Sequence, residues 1–366
     1  MEADEEHRGT GARTAAAQAI EFLEEHLCSW LDGSGPEADI IITSRVRLAR
    51  NLRGVRFPGT APAEEREKVR AQVAEATATS PALAKGLEIA VDALSPLDRR
   101  FLMERRLISP QLAERTEQAA VFVDHTQSVA VMVNEEDHLR LQVICSGLRI
   151  DQAWEVLSAL DEDLAAVLDY DFSEQFGYLT ACPTNTGTGM RVSIFAHLPG
   201  LAILDEVDKA LKEFAGSEIT VRGFYGEGSR VQGHIFQISN QLTLGRAEKA
   251  IVKRVQGIAE RLVALEREAR ARLLQQRPLR LKDVVYRAIA VLKNAQLLSS
   301  LELTNLLSAI RVGSDMGLLP PIPRRALNEL LVIALPAHLQ KRAGREMGGE
   351  ERDAYRAQFV REYLGI

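Results

Sequence analysis

Alternating apolar positions predict a pair of strands near the middle of the chain. In the segments VAVMV (129–133) and LRLQVIC (139–145), an apolar residue occupies every second position. That period of two is the period of a strand with one buried face. The break between the segments begins Asn-Glu-Glu-Asp, and three adjacent carboxylates repel one another unless a cation lies opposite them. The pattern therefore predicts an antiparallel hairpin whose turn faces a cationic group, for which a substrate is one candidate.

Other stretches divide the chain into a mixed region and a helical region. The strand-like segments before residue 240 are 40–49, 119–126, 178–184 and 234–239, and the helix-like segments are 17–30, 70–78, 152–168 and 203–215. From residue 246 onward the apolar spacing is helical, over 247–274, 281–295, 300–317, 325–335 and 353–364. Because several strands follow one another across short turns, an antiparallel sheet with flanking helices fits better than a parallel βαβ series.

These patterns predict the α+β class and three parts of the chain. Residues 1–15 are expected to form a disordered N-terminal tail. Residues 16–262 are expected to form the sheet-containing domain, in which the candidate chemistry lies. Residues 263–366 are expected to form an all-helical C-terminal domain.

Composition and charge narrow the classes of function. With 366 residues, 46% of them apolar and 26% charged, the chain has the composition of an ordinary globular protein large enough for two cores. A net charge of -6 disfavours general binding to nucleic acid or to an anionic membrane, and no apolar run is long enough to span a bilayer. Cys28, Cys145 and Cys182 are odd in number and widely spaced. That spacing is typical neither of a disulfide framework nor of a metal site, and it favours the reducing cytoplasm.

Two local motifs carry arginine and carboxylate side chains. In TSRVRLARN, Arg45 and Arg47 are two positions apart, so a strand presents both guanidinium groups on one face. Two such groups suit a phosphate chain, although an edge strand with a charged outer face is the alternative. In NEEDHLR, Glu136 can hold a guanidinium group and Arg140 can contact phosphate. The alternative here is a solvated hairpin turn.

Two further motifs are rich in glycine. CPTNTGTGMR (182–191) predicts a tight loop whose amides can face a ligand, with Cys182 at its start and Arg191 at its end. It is not a Walker loop, because no Gly-Lys-Ser/Thr follows the glycines, and a turn with a buried thiol is the alternative. In VRGFYGEGSR, Arg222 precedes a loop with one carboxylate, Glu227, near its tip. This loop is either a substrate lid or a plain surface loop.

Together the four motifs fit phosphoryl transfer from a nucleotide to a cationic acceptor. Positioning and charge neutralisation carry most of the catalysis in such reactions. The arginines would hold the phosphates, bridged by Mg²⁺, and Glu136 and Glu227 would hold a guanidinium group in line with the γ-phosphate. A protonated guanidinium nitrogen, with a pKa above about 12, is a poor nucleophile. A carboxylate must therefore orient it and help to remove its proton.

The same motifs carry a resemblance to a known family. In order, SRVR, NEEDHLR, CPTNTGTGMR and VRGFYGEGS resemble the signature segments of phosphagen kinases such as creatine and arginine kinase. The resemblance is closer to the bacterial protein-arginine kinases of the McsB family, and it includes SPQLAERTE, QISNQLTLGRAE and RDAYRA. It implies a phosphagen-kinase catalytic fold, ATP and Mg²⁺ as cofactors, Glu136 and Glu227 as substrate carboxylates and Cys182 as an active-site cysteine. The residues that it implies for nucleotide binding are Ser44, Arg45, Arg47, Arg140, Arg191 and Arg222.

Three features depart from the metabolite kinases of the wider family. Those enzymes carry a separate helical domain before the SRVR segment, and the segment that precedes Ser44 here is too short for one. An uncovered acceptor site would admit an arginine that belongs to a polypeptide. A histidine four positions after the phosphate arginine is Phe195 here, and an arginine of the SNxxR segment is Thr243. A kinase of a free guanidino metabolite and a non-catalytic phosphoarginine-binding adaptor remain as alternatives.

The C-terminal motif RDAYRA (352–357) predicts a helix with Arg352 and Arg356 one turn apart. From the spacing alone, this is a solvated helix in which Asp353 balances a neighbouring arginine. By resemblance, Arg352, Asp353, Arg356 and Ala357 form an allosteric phosphoarginine-binding site, associated with assembly into dimers or larger units. The resemblance also implies protein substrates such as the CtsR repressor, an McsA-type activator, and delivery of marked proteins to the ClpC–ClpP protease in a stress response.

Overall fold

The strands of the molecule lie in its first two thirds. The structure is a computed structural model that describes residues 2–114, 117–214, 219–223 and 232–366, with side chains from residue 14 onward. Within these residues the strands are β1 (Ile41–Arg50), β2 (Leu87–Ala90), β3 (Ala120–Val123), β4 (Val129–Val133), β5 (Leu139–Ser146), β6 (Phe172–Ser173), β7 (Gly177–Tyr178), β8 (Met190–His197), β9 (Ile219–Gly223) and β10 (Ile235–Asn240).

Eight of these strands form one antiparallel sheet. Their order is β2-β3-β4-β5-β1-β8-β10-β9, and each neighbouring pair is antiparallel. Strands β6 and β7 pair separately as a short hairpin. The turn between β4 and β5 begins at Asn134, whose φ of 59° is of the kind that asparagine tolerates well. The predicted hairpin and the predicted α+β class are confirmed.

Helices surround the sheet and make up the last third of the chain. Within the described residues they are α1 (Glu2–Glu25), α2 (Ala63–Thr79), α3 (Pro96–Glu104), α4 (Pro110–Glu114), α5 (Ile150–Ala165), α6 (Pro199–Ile203), α7 (Val207–Lys212), α8 (Glu248–Gln276), α9 (Pro278–Asn294), α10 (Ser300–Asp315), α11 (Arg324–Ile333), α12 (Pro336–Ala343) and α13 (Gly349–Leu364). No helix in these described ranges combines the length and the apolar character that crossing a bilayer requires.

The sheet separates two hydrophobic cores. Val46 and Leu48 of β1 point to one face, where they pack with apolar side chains of α2, α5 and α8. On the other face, Ile42, Phe195 and Ile235 join a core formed by α9–α13. The helical region therefore packs directly on the sheet, and its loops come close to the side chains that β1 presents on that face.

Two helices differ from the expected division of the chain. Helix α1 begins at Glu2, within the segment predicted as a disordered tail, and it packs into the protein through buried residues from Ala16 onward. Its sequence is rich in alanine and glutamate, which favour the helix even where no packing is available. Helix α8 continues without a break across the predicted boundary at residue 262 and ends at Gln276. Apolar periodicity cannot mark a boundary inside one continuous helix.

Two sequence segments form other structures than predicted. In the segment 178–184, predicted as a strand, only Tyr178 belongs to a strand, because Ala181 donates its amide to a side chain, Asp137 Oδ1, rather than to a neighbouring strand. The segment 203–215, predicted as one helix, includes the end of α6 and the whole of α7. The two are separated by Asp205, whose φ of 61° no helix accommodates.

Candidate active site

A cavity of about 1070 Å³ opens on the face of the sheet opposite Val46 and Leu48. Five arginines predicted to bind phosphate line this one cavity, and each belongs to a strand of the sheet. They are Arg45 and Arg47 of β1, Arg140 of β5, Arg191 of β8 and Arg222 of β9.

Strand register explains why these side chains meet. Arg45 and Arg47 share one face of β1 because they are two residues apart. Arg47 pairs with Gln142 of β5 on one side and with Arg191 of β8 on the other. Arg140 lies two residues before Gln142 and so points to the same face. Because β1 lies between two strands, the alternative of a charged edge strand is wrong.

The guanidinium groups of β1 are buried beside like charges. Burial first, and then the charges of Arg106, Arg140 and Arg191, lower the pKa of Arg45 to about 9. Burial and neighbouring arginines also hold the pKa of Arg47 well below its usual value. The Nε atoms of Arg45 and Arg47 are buried without a hydrogen-bond partner. An anion in the cavity would accept such bonds and neutralise the cluster, so the site suits a phosphate chain.

The acidic turn after β4 is buried rather than solvated. Glu135 and Asp137 are only 1% and 4% exposed, and Glu135 Oε1 accepts a hydrogen bond from Arg140 Nη1 at 2.5 Å. Glu136, between them, lines the cavity. Burial, and then the charge of Asp137, raises the pKa of Glu136. Arg140 is therefore one of the cations expected opposite the acidic turn. Because its pKa is raised, Glu136 is a stronger base than an exposed carboxylate.

Asp137 ties the acidic turn to the loop that carries Cys182. Its Oδ1 accepts hydrogen bonds from Asn51 Nδ2 and from the Ala181 amide, both at 2.7 Å. Cys182 lines the cavity together with Glu136, and its Sγ atom lies 3.0 Å from Thr184 Oγ1. Two segments far apart in sequence thus bring a carboxylate and a thiol together.

Thr243 and Gly187 hold the glycine-rich loop closed. Thr243 Oγ1 lies 3.0 Å from the carbonyl oxygen of Thr184 and 2.6 Å from that of Thr186, and it donates to them. Gly187 has a φ of 114°, and a Cβ atom there would lie 2.5 Å from the Thr243 carbonyl oxygen. Only glycine fits at that position. The threonine that replaces a family arginine therefore braces the loop while it lines the cavity.

One predicted site residue, Ser44, does not line the cavity. The Ser44 hydroxyl points to the opposite side of β1, where it donates to the Gly147 carbonyl oxygen at 2.8 Å and accepts from the Arg149 amide at 3.1 Å. We therefore do not carry Ser44 further as a nucleotide contact, because its position in β1 turns it away from Arg45. Glu227 lies outside the described residues.

The sequence analysis missed the walls of the cavity that lie outside the sheet. Arg100 and Glu104 of α3 and Arg106 after it line one wall, and Ser300, Leu335 and Pro336 of the helical region line another. The Arg106 guanidinium lies 5.0 Å from the Phe195 ring centroid, and that of Arg45 lies 5.9 Å from it. The paired arginines of RRFLMERR (99–106) could have indicated this wall from the sequence. Such a charged segment is, however, equally typical of a solvated helix face.

The RDAYRA motif lies on α13 and is only partly accessible. Arg356 is 1% exposed and donates to the carbonyl oxygens of Leu298 at 2.6 Å and Ala334 at 2.8 Å. It also pairs with Asp353. Ala357 is buried in the helical core, whereas Arg352 and Asp353 are half-buried. A fully solvated helix is therefore the wrong alternative for this segment.

Comparisons with known proteins bear on the whole chain. The family model of the ATP:guanido phosphotransferase C-terminal catalytic domain matches residues 68–269, and that of the protein-arginine kinase McsB C-terminal domain matches residues 278–366. A protein-arginine kinase of Pelotomaculum thermopropionicum is 45% identical over 91% of this chain and 94% of its own length. The chain belongs to the protein-arginine kinase family. It is therefore an enzyme of the ATP-dependent guanido-phosphotransferase class.

Further relatives agree with this membership. The protein-arginine kinase of Halothermothrix orenii is 40% identical over 94% of this chain and 99% of its own length. Among solved structures, the chain is similar to the duplicated taurocyamine kinase of Schistosoma mansoni with transition-state analogue components, with a TM-score of 0.57 at 23% identity. That match covers 68% of this chain and 37% of the kinase. Lombricine kinase gives a TM-score of 0.57 at 21% identity, over 68% of this chain and 71% of its own. These two similarities confirm the phosphagen-kinase fold.

Proposed function

We propose that this chain transfers the γ-phosphate of ATP to the guanidinium group of arginine side chains in proteins. The observation that carries the proposal is one cavity in which five arginines share the lining with Glu136 and Cys182. The arginines suit the phosphates of the donor, and the carboxylate suits a cationic acceptor. Membership of the protein-arginine kinase family supports the same reaction.

Mg²⁺ fits this site as a companion of the nucleotide. Among the described residues, no group of three His, Cys, Asp or Glu side chains could hold a metal ion. The phosphates would therefore supply its main ligands, and the buried Glu135, paired with Arg140, keeps a negative charge close to the cavity. When bound, Mg²⁺ would neutralise phosphate charge. Arg45 and Arg47 would then fix the position of the phosphate chain.

Glu136 would prepare the acceptor for attack. Its carboxylate would pair with the acceptor guanidinium, orient one nitrogen toward the γ-phosphate and take its proton as the N–P bond forms. The pKa of Glu136, raised first by burial, suits that role better than the pKa of an exposed carboxylate. We assign Glu227 as a second acceptor carboxylate from the resemblance of its motif, and Cys182 as a neighbour of the acceptor because it lines the cavity together with Glu136.

The acceptor is proposed to be a protein rather than a free metabolite. The relatives named as protein-arginine kinases match this chain at 40–45% identity over more than nine tenths of it. The metabolite kinases among the solved structures are 21–23% identical and support the fold alone. A non-catalytic adaptor is disfavoured, because such a protein has no need to keep a phosphate clamp beside a buried carboxylate.

We also propose that the RDAYRA motif binds phosphoarginine. The half-buried pair Arg352 and Asp353 would meet the ligand, and the Arg352 Nε atom is buried without a hydrogen-bond partner. Arg356 would position α13 rather than contact the ligand, because its guanidinium already donates to the Leu298 and Ala334 carbonyl oxygens. Those carbonyls lie next to segments that contribute Ser300, Leu335 and Pro336 to the cavity. A shift of α13 would therefore move residues that line the active site.

The cellular role is proposed from the family resemblance. The kinase would act in the cytoplasm as a homodimer or larger homo-oligomer, without direct binding of nucleic acid or membrane. Its three cysteines are free thiols, which suits a reducing compartment. Substrates would include the CtsR repressor and damaged proteins destined for the ClpC–ClpP protease, and an McsA-type protein would activate it.

The first experiment is phosphate transfer from labelled ATP with Mg²⁺. An unfolded arginine-rich protein, the same protein with every arginine replaced by lysine, and free arginine serve as parallel acceptors. The proposal expects label on the arginine-rich protein only, and it expects acid to remove that label, since a phosphoramidate is acid-labile. Label on free arginine alone would move the chain to the metabolite kinases. Label on no acceptor, even with an McsA-type protein present, would favour an adaptor.

A further inference from the structure

Four apolar side chains that are exposed in the described part of the chain lie on two segments beside the cavity. Two belong to the short hairpin of β6 and β7, and two belong to the segment that follows β10. They are Phe172, Phe176, Leu242 and Leu244, and each is between 42% and 52% exposed. Single exposed apolar residues are ordinary, but a group of them on adjoining segments is typical of an interaction site. These four residues are called the apolar rim below.

The two segments of the apolar rim adjoin each other at Gly187 of the glycine-rich loop. The backbone of Tyr178 in β7 pairs with Gly187 through two hydrogen bonds, of 2.8 and 3.2 Å. At the same glycine, a Cβ atom would lie 2.7 Å from Leu244 Cα. The glycine-rich loop therefore joins the hairpin to the segment 242–244, and the apolar rim occupies adjoining parts of one surface.

This surface continues into the wall of the cavity. Leu242 lies between Gln241 and Thr243 in the sequence, and both of these neighbours line the cavity. Thr184, whose carbonyl oxygen accepts a hydrogen bond from Thr243 Oγ1, lines the cavity together with Cys182. The apolar rim therefore adjoins the part of the cavity where the acceptor arginine is proposed to bind.

Arg50 fixes the hairpin to the body of the protein. Its guanidinium carbon lies 3.5 Å from the centroid of the Tyr178 ring, and the Phe172 ring packs against Tyr178 with 5.2 Å between centroids. Arg50 is itself held by an ion pair with Asp161 and by a hydrogen bond to the Thr188 carbonyl oxygen. A surface that is fixed before binding loses little conformational entropy when a ligand arrives.

The charge of the hairpin region narrows the class of partner. Residues 167–178 include Asp169, Asp171 and Glu174 and no lysine or arginine. Carboxylates beside an apolar patch disfavour an anionic lipid surface and favour a polypeptide that carries arginine. When the arginine of such a polypeptide enters the cavity, the residues on either side of it must lie across the surface around the cavity. The acceptor polypeptide is thus the partner that reaches the apolar rim.

We propose that the apolar rim binds apolar residues that flank the target arginine of the acceptor polypeptide. The inference rests on the proposed function and deepens it, because it adds a sequence preference to arginine phosphorylation. A leucine or phenylalanine near the target arginine would pack against Phe176 and Leu244 while the guanidinium group occupies the cavity. Burial of such side chains favours binding. The rim therefore lowers the KM for apolar acceptors and leaves kcat and the Kd for ATP unchanged.

The test uses two synthetic peptides that contain one arginine each. Leucine and phenylalanine flank the arginine in the apolar peptide, and serine occupies the same positions in the serine peptide. The wild type is compared with F176S, L244S, the double variant and L279S. Leu279 is 79% exposed and lies on α9, outside the residues that line the cavity, so L279S is the matched control.

Four quantities are measured for each protein. They are KM and kcat for each peptide with labelled ATP and Mg²⁺, the Kd for ATP by calorimetry, the melting temperature, and the mass in solution by light scattering. An unfolded arginine-rich protein serves as a reference acceptor in the same assay. The melting temperature shows whether a variant has kept its fold, and the mass shows whether it has kept its oligomeric state.

The proposal expects the wild type to prefer the apolar peptide. Its KM for that peptide should be about 10-fold or more below its KM for the serine peptide, the effect of burying about one leucine-sized side chain. F176S and L244S should each raise the KM for the apolar peptide about 3- to 10-fold, and the double variant should lose the preference. The other quantities should stay the same, and L279S should behave as the wild type.

Several results would overturn the inference. Equal KM values of the wild type for the two peptides would do so whether or not the variants fold. A folded double variant that keeps the preference would remove the rim from acceptor binding, and equal increases in KM for both peptides would assign it a general structural role. A lower mass of the double variant with unchanged KM values would assign the rim to contact between copies of the chain. A wild type that labels neither peptide nor the reference protein would overturn the proposed function as well, whereas the other results leave arginine phosphorylation intact.

Discussion

At the scale of single residues, the proposed reaction depends on how Glu136 is placed. It lines the cavity between two buried carboxylates, and burial raises its pKa. It combines the position of an acceptor ligand with a basicity that an exposed glutamate lacks. Neither property follows from its place in a run of acidic residues.

Replacing Glu136 by glutamine should abolish transfer and spare the nucleotide. We expect kcat to fall at least about 100-fold, the lower range for loss of a general base, while the Kd for ATP changes little. Initial rates of labelled transfer and calorimetry with ATP measure the two quantities. E117Q is the matched control, because Glu117 has an 82% exposed side chain and should act as the wild type. Transfer by E136Q at the wild-type rate would contradict the assigned role.

Cys182 should shift the acid limb of the pH–rate profile through its effect on the pKa of Glu136. The pKa of Glu136 is raised first by burial, and the neighbouring Cys182 thiol lowers it. Activity should therefore fall as pH decreases through this raised pKa, because the base becomes protonated. In C182A the lowering effect of the thiol is lost, so the fall should begin at a higher pH, whereas C182S should restore the wild-type profile. Profiles of kcat/KM measure this, and identical acid limbs for C182A and the wild type would refute it.

At the scale of elements, the site is built by strand pairing and closed by loops. β1 contributes two arginines because it is central, with β5 and β8 beside it. The acidic turn, the glycine-rich loop and the Thr243 segment hold one another through side-chain to backbone hydrogen bonds. These hydrogen bonds hold the segment 178–184 in place, where strand pairing was expected to hold it.

Helix α13 should depend on Arg356 for its attachment. R356A would leave two buried carbonyl oxygens, those of Leu298 and Ala334, without their donor. We expect a loss of about 3 kcal/mol in the free energy of unfolding, since each unsatisfied buried group costs about 1–3 kcal/mol. Urea denaturation followed by circular dichroism measures the change. R352A should change it by less than about 1 kcal/mol, and equal losses for both variants would contradict the assigned role of Arg356.

At the scale of the whole molecule, buried polar contacts join the sheet domain to the helical region. Glu104 of α3 accepts hydrogen bonds from the amides of Ala337 and His338 and pairs with His338 Nδ1 at 2.8 Å. Arg105 donates to His338 Nε2 at 3.1 Å. Farther along the same face of the sheet, His197 Nε2 lies 2.8 Å from Ser308 Oγ. The two regions are thus held together by groups that titrate.

Stability should fall when pH decreases from about 7.5 to 6. Burial is the main cause that lowers the pKa of His197, His234 and His338 below the usual 6.5. In this window the unfolded chain binds more protons than the folded one, so the free energy of unfolding decreases as pH falls through 6.5. Glu266, whose pKa is raised by burial, opposes this trend nearer to its own titration. Urea midpoints at several pH values measure the effect, and a midpoint that rises toward pH 6 would refute it.

Sequence reasoning succeeded where the information was local. The spacing of Arg45 and Arg47, the hairpin around the acidic turn and the helices after residue 246 all follow from periods of two or 3.6 residues. It failed for Ser44, whose side was not assigned, and for Arg106, whose segment resembles a solvated helix. Its boundary at residue 262 remains a prediction, and that residue lies inside the continuous helix α8.

The sequence by itself determined the family resemblance and the fold class, and it predicted the residues with phosphate-binding and acceptor-binding chemistry. These depend on residue types at fixed spacings, and spacing is written directly in the chain. Only the tertiary structure decided which of those residues meet. Strand order places Arg140, Arg47 and Arg191 side by side, and packing of the helical region brings Leu335 and Pro336 to the same cavity. Such contacts join residues far apart in sequence, so they depend on how the whole chain buries its apolar surface.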